Sequence, residues 1–121
     1  MRQPNVPRFR LIAAVSWTLF VLVATLTPGD PSPGDGWFAA LPDGTDKIVH
    51  VVLFAIETVL VTRWLGFRSI VLVIVASLAI GTEIAQVWIP YRGFEIGDLL
   101  ADGLGCALGV VIGRVSMTRE E

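Results

Sequence analysis

Four apolar blocks, each about twenty residues long, leave this chain few ways to fold. They cover about residues 9–27, 47–65, 69–89 and 96–115. A helix rises about 1.5 Å per residue, so some twenty residues cross the ~30 Å hydrocarbon core of a bilayer. In hydrocarbon a backbone can satisfy its own polar groups only as a helix or a closed barrel. Blocks of this length and spacing predict an all-α, four-transmembrane-helix bundle as one domain over residues 1–121. Composition agrees: 54% of residues are hydrophobic and mean hydropathy is +0.71, above the ~45–50% apolar share of soluble domains.

The last two blocks, with the turn between them, are the most informative stretch. From Gly81 to Gly113 the chain is apolar enough to enter a membrane, yet it carries Glu83, Gln86, Arg92, Glu95, Asp98 and Asp102. Each ionisable group costs about 2.5–3.5 kcal/mol on insertion scales, so membrane proteins keep them for sites, pathways or partners. The stretch closes on Gly105, Gly109 and Gly113. Glycines four apart on a spanning helix predict close backbone packing, and no catalytic role.

The rest of the chain frames that stretch. Arg2, Arg8 and Arg10 precede the first block, with Pro4 and Pro7 holding off a helix until after Pro7. A basic start and an apolar middle also fit a signal peptide, but no convincing small-x-small cleavage pattern precedes Thr27-Pro28, which favours a retained helix. Residues 28–46 are rich in proline, glycine and aspartate and predict a loop, with Trp37 and Phe38 suited to the headgroup level. Thr45 or Asp46 is the expected N-cap of the second helix. Pro90-Tyr91-Arg92-Gly93 predicts a tight turn.

Basic residues predict the orientation. Arg2, Arg8, Arg10, Arg63, Arg68, Arg114 and Arg119 fall on one side, against Lys47 and Arg92 on the other. The positive-inside rule then puts both termini in the cytoplasm and residues 28–46 and 90–95 outside. Helix rise places His50, Gln86 and Asp98 within about a turn of the outer surface, Glu83 and Asp102 about a turn deeper, and Glu57 near the midplane. Helical spacing puts Asp46, His50 and Glu57 on one stripe, Glu83 and Gln86 on another, and Asp98 and Asp102 on a third. Stripes that avoid lipid should face one another, which predicts an outward-opening polar pocket above an apolar cytoplasmic half.

The chemistry stays open among three classes. His50, with Asp46 one turn earlier to orient its ring, could act with Glu83 and Asp98 as a catalytic group or as a metal ligand. Asp46, Lys47, Gln86, Arg92 and Asp102 are candidate ligand-binding residues. The Arg92 fork and the start of the last helix suit an anion, with Glu95 expected to pair with Arg92 or to cap that helix. The third class is plain polar packing, the reading favoured for Glu57, as an interhelical hydrogen bond rather than a proton relay. No spacing matches an established metal motif, since the chain has one histidine and one cysteine. Cys106 permits no internal disulfide and reads as a small packing residue. A net charge of −2 gives no reason to expect nucleic acid. Membrane lipids are the expected surroundings, and cofactors and oligomeric state stay open.

Taken together, Asp46-Lys47-x-x-His50, Glu83-x-x-Gln86, Pro90-x-Arg92, Asp98, Gly105 and Gly109 resemble, in that order, the VanZ-like family of small integral membrane proteins. The resemblance covers about residues 9–115. It implies that Asp46, Lys47, His50, Glu83, Gln86, Arg92 and Asp98 are motif positions, while the family pattern usually has asparagine where this chain has Asp102. The founding member is associated with low-level resistance to teicoplanin, a glycopeptide acting at the bacterial cell surface. The resemblance therefore implies a multi-pass protein of the bacterial plasma membrane with a cell-envelope role, and an anionic lipid-like or wall-precursor ligand fits it. The rivals are an assembly scaffold, a hydrolase or transferase using His50 and the carboxylates, and a small transporter, for which inverted repeats and broken helices are missing.

Overall fold

The computed structural model describes residues 5–28 and 44–119. Four helices account for most of them: α1 (Arg8–Leu26), α2 (Thr45–Leu65), α3 (Ser69–Ala85, continued by a 3-10 turn over Gln86–Trp88) and α4 (Ile96–Arg119). All four are long and apolar enough to cross a membrane. The loop expected over 28–46, including Trp37 and Phe38, lies mostly outside the described residues.

Two boundaries differ from the sequence reading. Helix α2 begins at Thr45, and its N-cap is Gly44 at φ +87°, a left-handed conformation that glycine adopts without strain, so neither Thr45 nor Asp46 is the cap. Helix α4 continues to Arg119, beyond the end expected near residue 115. Arginine tolerates helix well, and cations suit a helix C-terminus.

Beside an apolar core that includes Val21, Leu53, Phe54 and Val75, the bundle buries many polar groups and exposes large apolar ones. Thr25, His50, Glu57, Thr58, Thr62, Thr82, Glu83, Gln86, Asp98 and Asp102 are buried, while Phe9, Ile12, Leu19, Val23, Leu72, Val73, Leu100, Leu104 and Val111 face outward. Apolar side chains on the outside are favoured only where the surroundings are apolar too, as at a lipid-facing surface.

Helices α2 and α4 run parallel and make the most extensive contact in the fold, with α1 and α3 antiparallel beside them. Glycine sets the closeness of that pair. A Cβ on Gly105 would collide with the Val51 carbonyl oxygen, and one on Gly109 would stand 2.6 Å from both the Ala55 carbonyl oxygen and Thr58 Cβ. Gly113 is different. A Cβ there would find its nearest neighbour, Thr62 Cγ2, at 3.8 Å, an ordinary contact. The expected three-glycine seam is thus a two-glycine seam that opens toward its far end.

Polar groups and aromatic contacts fasten the flanking helices. Trp17 Nε1 donates to the Leu53 carbonyl at 3.0 Å, and Thr18 Oγ1 donates to Glu57 Oε1 at 2.6 Å, about midway along α1 and α2. Glu57 therefore makes the interhelical bond expected of it. At the far end Arg10 donates to the Arg63 carbonyl, and the Arg114 guanidinium lies over Phe67 at 5.7 Å. Cys106 is half-buried against the apolar core.

Candidate functional site

The glycine seam positions the charged groups. Asp98 and Asp102 lie on the same face of α4 as Gly105 and Gly109, so close approach of the two backbones lets a short aspartate reach across to α2. Asp102 Oδ1 accepts from His50 Nδ1 at 2.6 Å, fixing the ring. Spacing alone points to Asp46, one turn before His50, for that part. Asp46 instead points to the ammonium of Lys47 beside it, at 2.9 Å.

Lys47 is the hub that the sequence did not reveal. Its Nζ donates to Asp46 Oδ2, to Glu95 Oε2 at 2.6 Å and to Asp98 Oδ1. Gly97 makes room for this, since a Cβ there would meet the Lys47 stem at 3.0 Å. Glu95 consequently pairs with Lys47 and not with Arg92. Its own backbone N–H, just ahead of α4, donates to Glu83 Oε2 at 3.3 Å, so α3 supplies an acceptor at the start of α4.

These bonds gather Asp46, Lys47, His50, Glu83, Glu95, Asp98 and Asp102 at one end of the bundle, where α2 and α4 begin and α3 ends. Exposure grades inward: Asp46 and Glu95 are exposed and Lys47 half-buried, while His50 and Asp98 retain 7% of their surface, Asp102 1% and Glu83 none. His50 Nε2 faces Asp98 Oδ2 at 3.6 Å, beyond hydrogen-bond length. His50, Glu83 and Asp98 each offer a ligand atom within 4.8 Å of the others, and so do Asp46, Glu95 and Asp98. The second trio already holds the Lys47 ammonium.

Two candidate ligand-binding residues are engaged elsewhere. Gln86 Nε2 donates to the Thr25 carbonyl at 2.8 Å, and Arg92 Nε donates to the Thr27 carbonyl at 3.0 Å. The last carbonyls of a helix have no intrahelical donor, so both residues close the end of α1. Gln86 is fully buried in that task, while Arg92 stays exposed at the same end of the bundle as the cluster. Spacing alone could not separate a C-terminal cap from a ligand contact, because the partner lies more than sixty residues away.

No curated protein and no solved structure matches the chain. The model of the VanZ/LLP1 family matches residues 3–117, nearly its whole length. With four membrane-length helices and the motif residues gathered at one end of them, the chain belongs to the VanZ/LLP1 family.

Proposed function

We propose that this protein binds a cell-envelope lipid, glycolipid or wall precursor by its headgroup at the charged end of the bundle. In this reading that end faces away from the cytoplasm and forms the outward polar pocket. The observation that carries it is the His50–Asp102 pair. A buried imidazole is fixed through Nδ1 at 2.6 Å, and its Nε2 is turned toward the groups that converge at that end. Exposed Arg92 stands nearby, where an anionic headgroup would meet a guanidinium. The orientation rests on the basic bias, seven residues against two. A reporter active only outside the cytoplasm should work near Pro33 and fail after Glu121, and the reverse pattern removes the envelope role.

A membrane-embedded hydrolase or transferase is the second reading, favoured by the same pair. An imidazole oriented by a carboxylate is the arrangement of a general base, and Nε2 would take the proton. An assembly scaffold, in which the charged groups only hold helices in register, is the remaining alternative. Native mass spectrometry of gently purified protein separates them. A retained lipid of defined mass, lost in His50→Gln, supports headgroup binding. Turnover of that lipid with release of a fragment moves the protein to the enzyme reading. Wild-type protein that retains no lipid at all overturns the binding proposal in favour of the scaffold.

A further inference from the structure

We infer that His50 Nε2, Glu83 and Asp98 form a binding site for one divalent transition cation of the zinc class. The ligand atoms lie within 4.8 Å of one another, and all three residues are buried. Bonds of about 2.0–2.2 Å in a tetrahedral shell set neighbouring ligands about 3.4 Å apart. His50 Nε2 and Asp98 Oδ2 are 3.6 Å apart, a poor hydrogen bond but close to that separation.

Glu83 supplies an independent observation. It is fully buried, its Oε2 accepts from the Glu95 N–H, and its Oε1 has no hydrogen-bond partner among the described residues. A buried carboxylate oxygen left without a donor is costly and calls for an explanation. Glu57 Oε2 also lacks a partner, but Glu57 belongs to no group of convergent ligands. Asp102 Oδ2 is an orphan beside the same imidazole, but Asp102 already holds His50 Nδ1 through Oδ1 and is not one of the trio, so at Glu83 the orphan accompanies both an imidazole nitrogen and a second carboxylate of the trio.

The surroundings fit a cation in two further ways. Asp102 holds Nδ1, which directs the Nε2 lone pair inward, and ligand histidines generally carry such a carboxylate or carbonyl behind them. The cluster also brings five carboxylates around one ammonium, and Lys47 neutralises its outer half through Asp46, Glu95 and Asp98 Oδ1. Asp98 Oδ2, Glu83 and Asp102 remain on the inner side, where a divalent charge offsets them most strongly. One imidazole and two carboxylates favour zinc or manganese over magnesium, which prefers oxygen ligands and retained water. Three protein ligands leave a fourth position for water or, if the lipid reading holds, for a headgroup phosphate oxygen. The site itself does not depend on that reading.

The test uses full-length protein in detergent, freed of any affinity tag and stripped with chelator. Calorimetric titration with Zn2+ should give one ion per chain, and Co2+ should develop the visible bands of a four-coordinate site. Glu83→Gln keeps the shape and the acceptor for the Glu95 N–H, and His50→Gln keeps a donor toward Asp102. Each should weaken Zn2+ by about tenfold or more, while Glu57→Gln binds like wild type. X-ray absorption of the zinc-loaded wild type needs no variant: the chain has one histidine, so a single imidazole in a nitrogen/oxygen shell identifies His50. No stoichiometric ion in the wild type, a shell without imidazole or with sulfur from Cys106, or unchanged affinity in both variants each overturns the site. Zinc bound without retained lipid leaves the cation site standing and removes the headgroup reading; retained lipid without zinc does the converse.

Discussion

Two regions of the bundle bury carboxylates, and they are built for different ends. Midway along the helices, Glu57 is fully buried against Thr18 of α1 through one hydrogen bond, and the other polar group nearby, Thr58, satisfies a carbonyl on its own helix. At the charged end, α2, α3, the turn after it and α4 all contribute, and the groups converge on His50 and Lys47. One region joins a pair of helices. The other assembles a constellation that no single helix–helix contact requires. A buried ionisable residue in a membrane protein is therefore a weaker sign of function than convergence of several from separate elements.

The largest blow to this contrast should come from neither region but from the seam between them. Gly105 lies one turn beyond Asp102 and packs against the Val51 backbone. In Gly105→Leu the side chain meets a carbonyl that cannot move aside, so α2 and α4 must separate. Overpacking a tight contact typically costs about 1–3 kcal/mol, and here the obstacle is backbone. Loss of the monodisperse peak in size-exclusion chromatography is the expected outcome. A variant that elutes and melts like wild type would mean that the seam does not hold Asp102 against His50, and the contrast would lose its structural basis.

That dependence also explains what could be read from sequence. The four spans were legible because hydrophobicity is a local property, summed along each block. So was the glycine face, since residues at three- and four-residue spacing share a side of a helix. The Glu57 bond was legible in kind, though not its partner: nothing marks Thr18 among the other hydroxyls. The buried members of the cluster are legible; its outer members and its wiring are not. Hydrocarbon penalises His50, Glu83, Asp98 and Asp102, which marks them out, yet spacing offers Asp46 for the role that Asp102 performs. Local spacing points to the near neighbour and not to a residue fifty-two positions away, which only the seam brings close. Lys47 and Glu95 look like ordinary charges at helix ends until the Gly97 surface lets the lysine stem lie across it.

The next effect is of middle size and separates the two regions directly. His50 and Asp102 are too deeply buried for water to replace the histidine freely, so His50→Ala strands the Asp102 carboxylate. Leaving a buried acceptor unpaired costs about 1–3 kcal/mol, more if it is charged, and a drop in melting temperature of several degrees is expected. His50→Gln restores a donor and should recover most of that stability while lipid retention stays lost. In the middle of the bundle, Glu57→Gln keeps an acceptor for Thr18, and both melting temperature and lipid retention should stay near wild type. Equal loss of lipid in Glu57→Gln and His50→Gln would erase the distinction between a fastening and a site.

The smallest effect tests where the seam stops. Gly105, Gly109 and Gly113 look equivalent in sequence, and a stripe of glycines invites the inference that all three are needed. A Cβ on Gly113, however, meets nothing nearer than Thr62 Cγ2 at 3.8 Å and the Phe67 ring at 4.0 Å. Gly113→Ala therefore introduces no collision, and alanine is favoured over glycine inside a helix by up to about 1 kcal/mol. The methyl group also adds contact with Thr62 and Phe67, where van der Waals packing drives helix association in lipid. The variant should melt at the wild-type temperature or slightly above it, whereas Gly109→Ala, with its Cβ 2.6 Å from the Ala55 carbonyl oxygen and Thr58 Cβ, should melt below it. If Gly113→Ala were as damaging as Gly109→Ala, α2 and α4 would have to stay in tight contact to the far end. The opening of the pair away from the charged cluster would then be wrong.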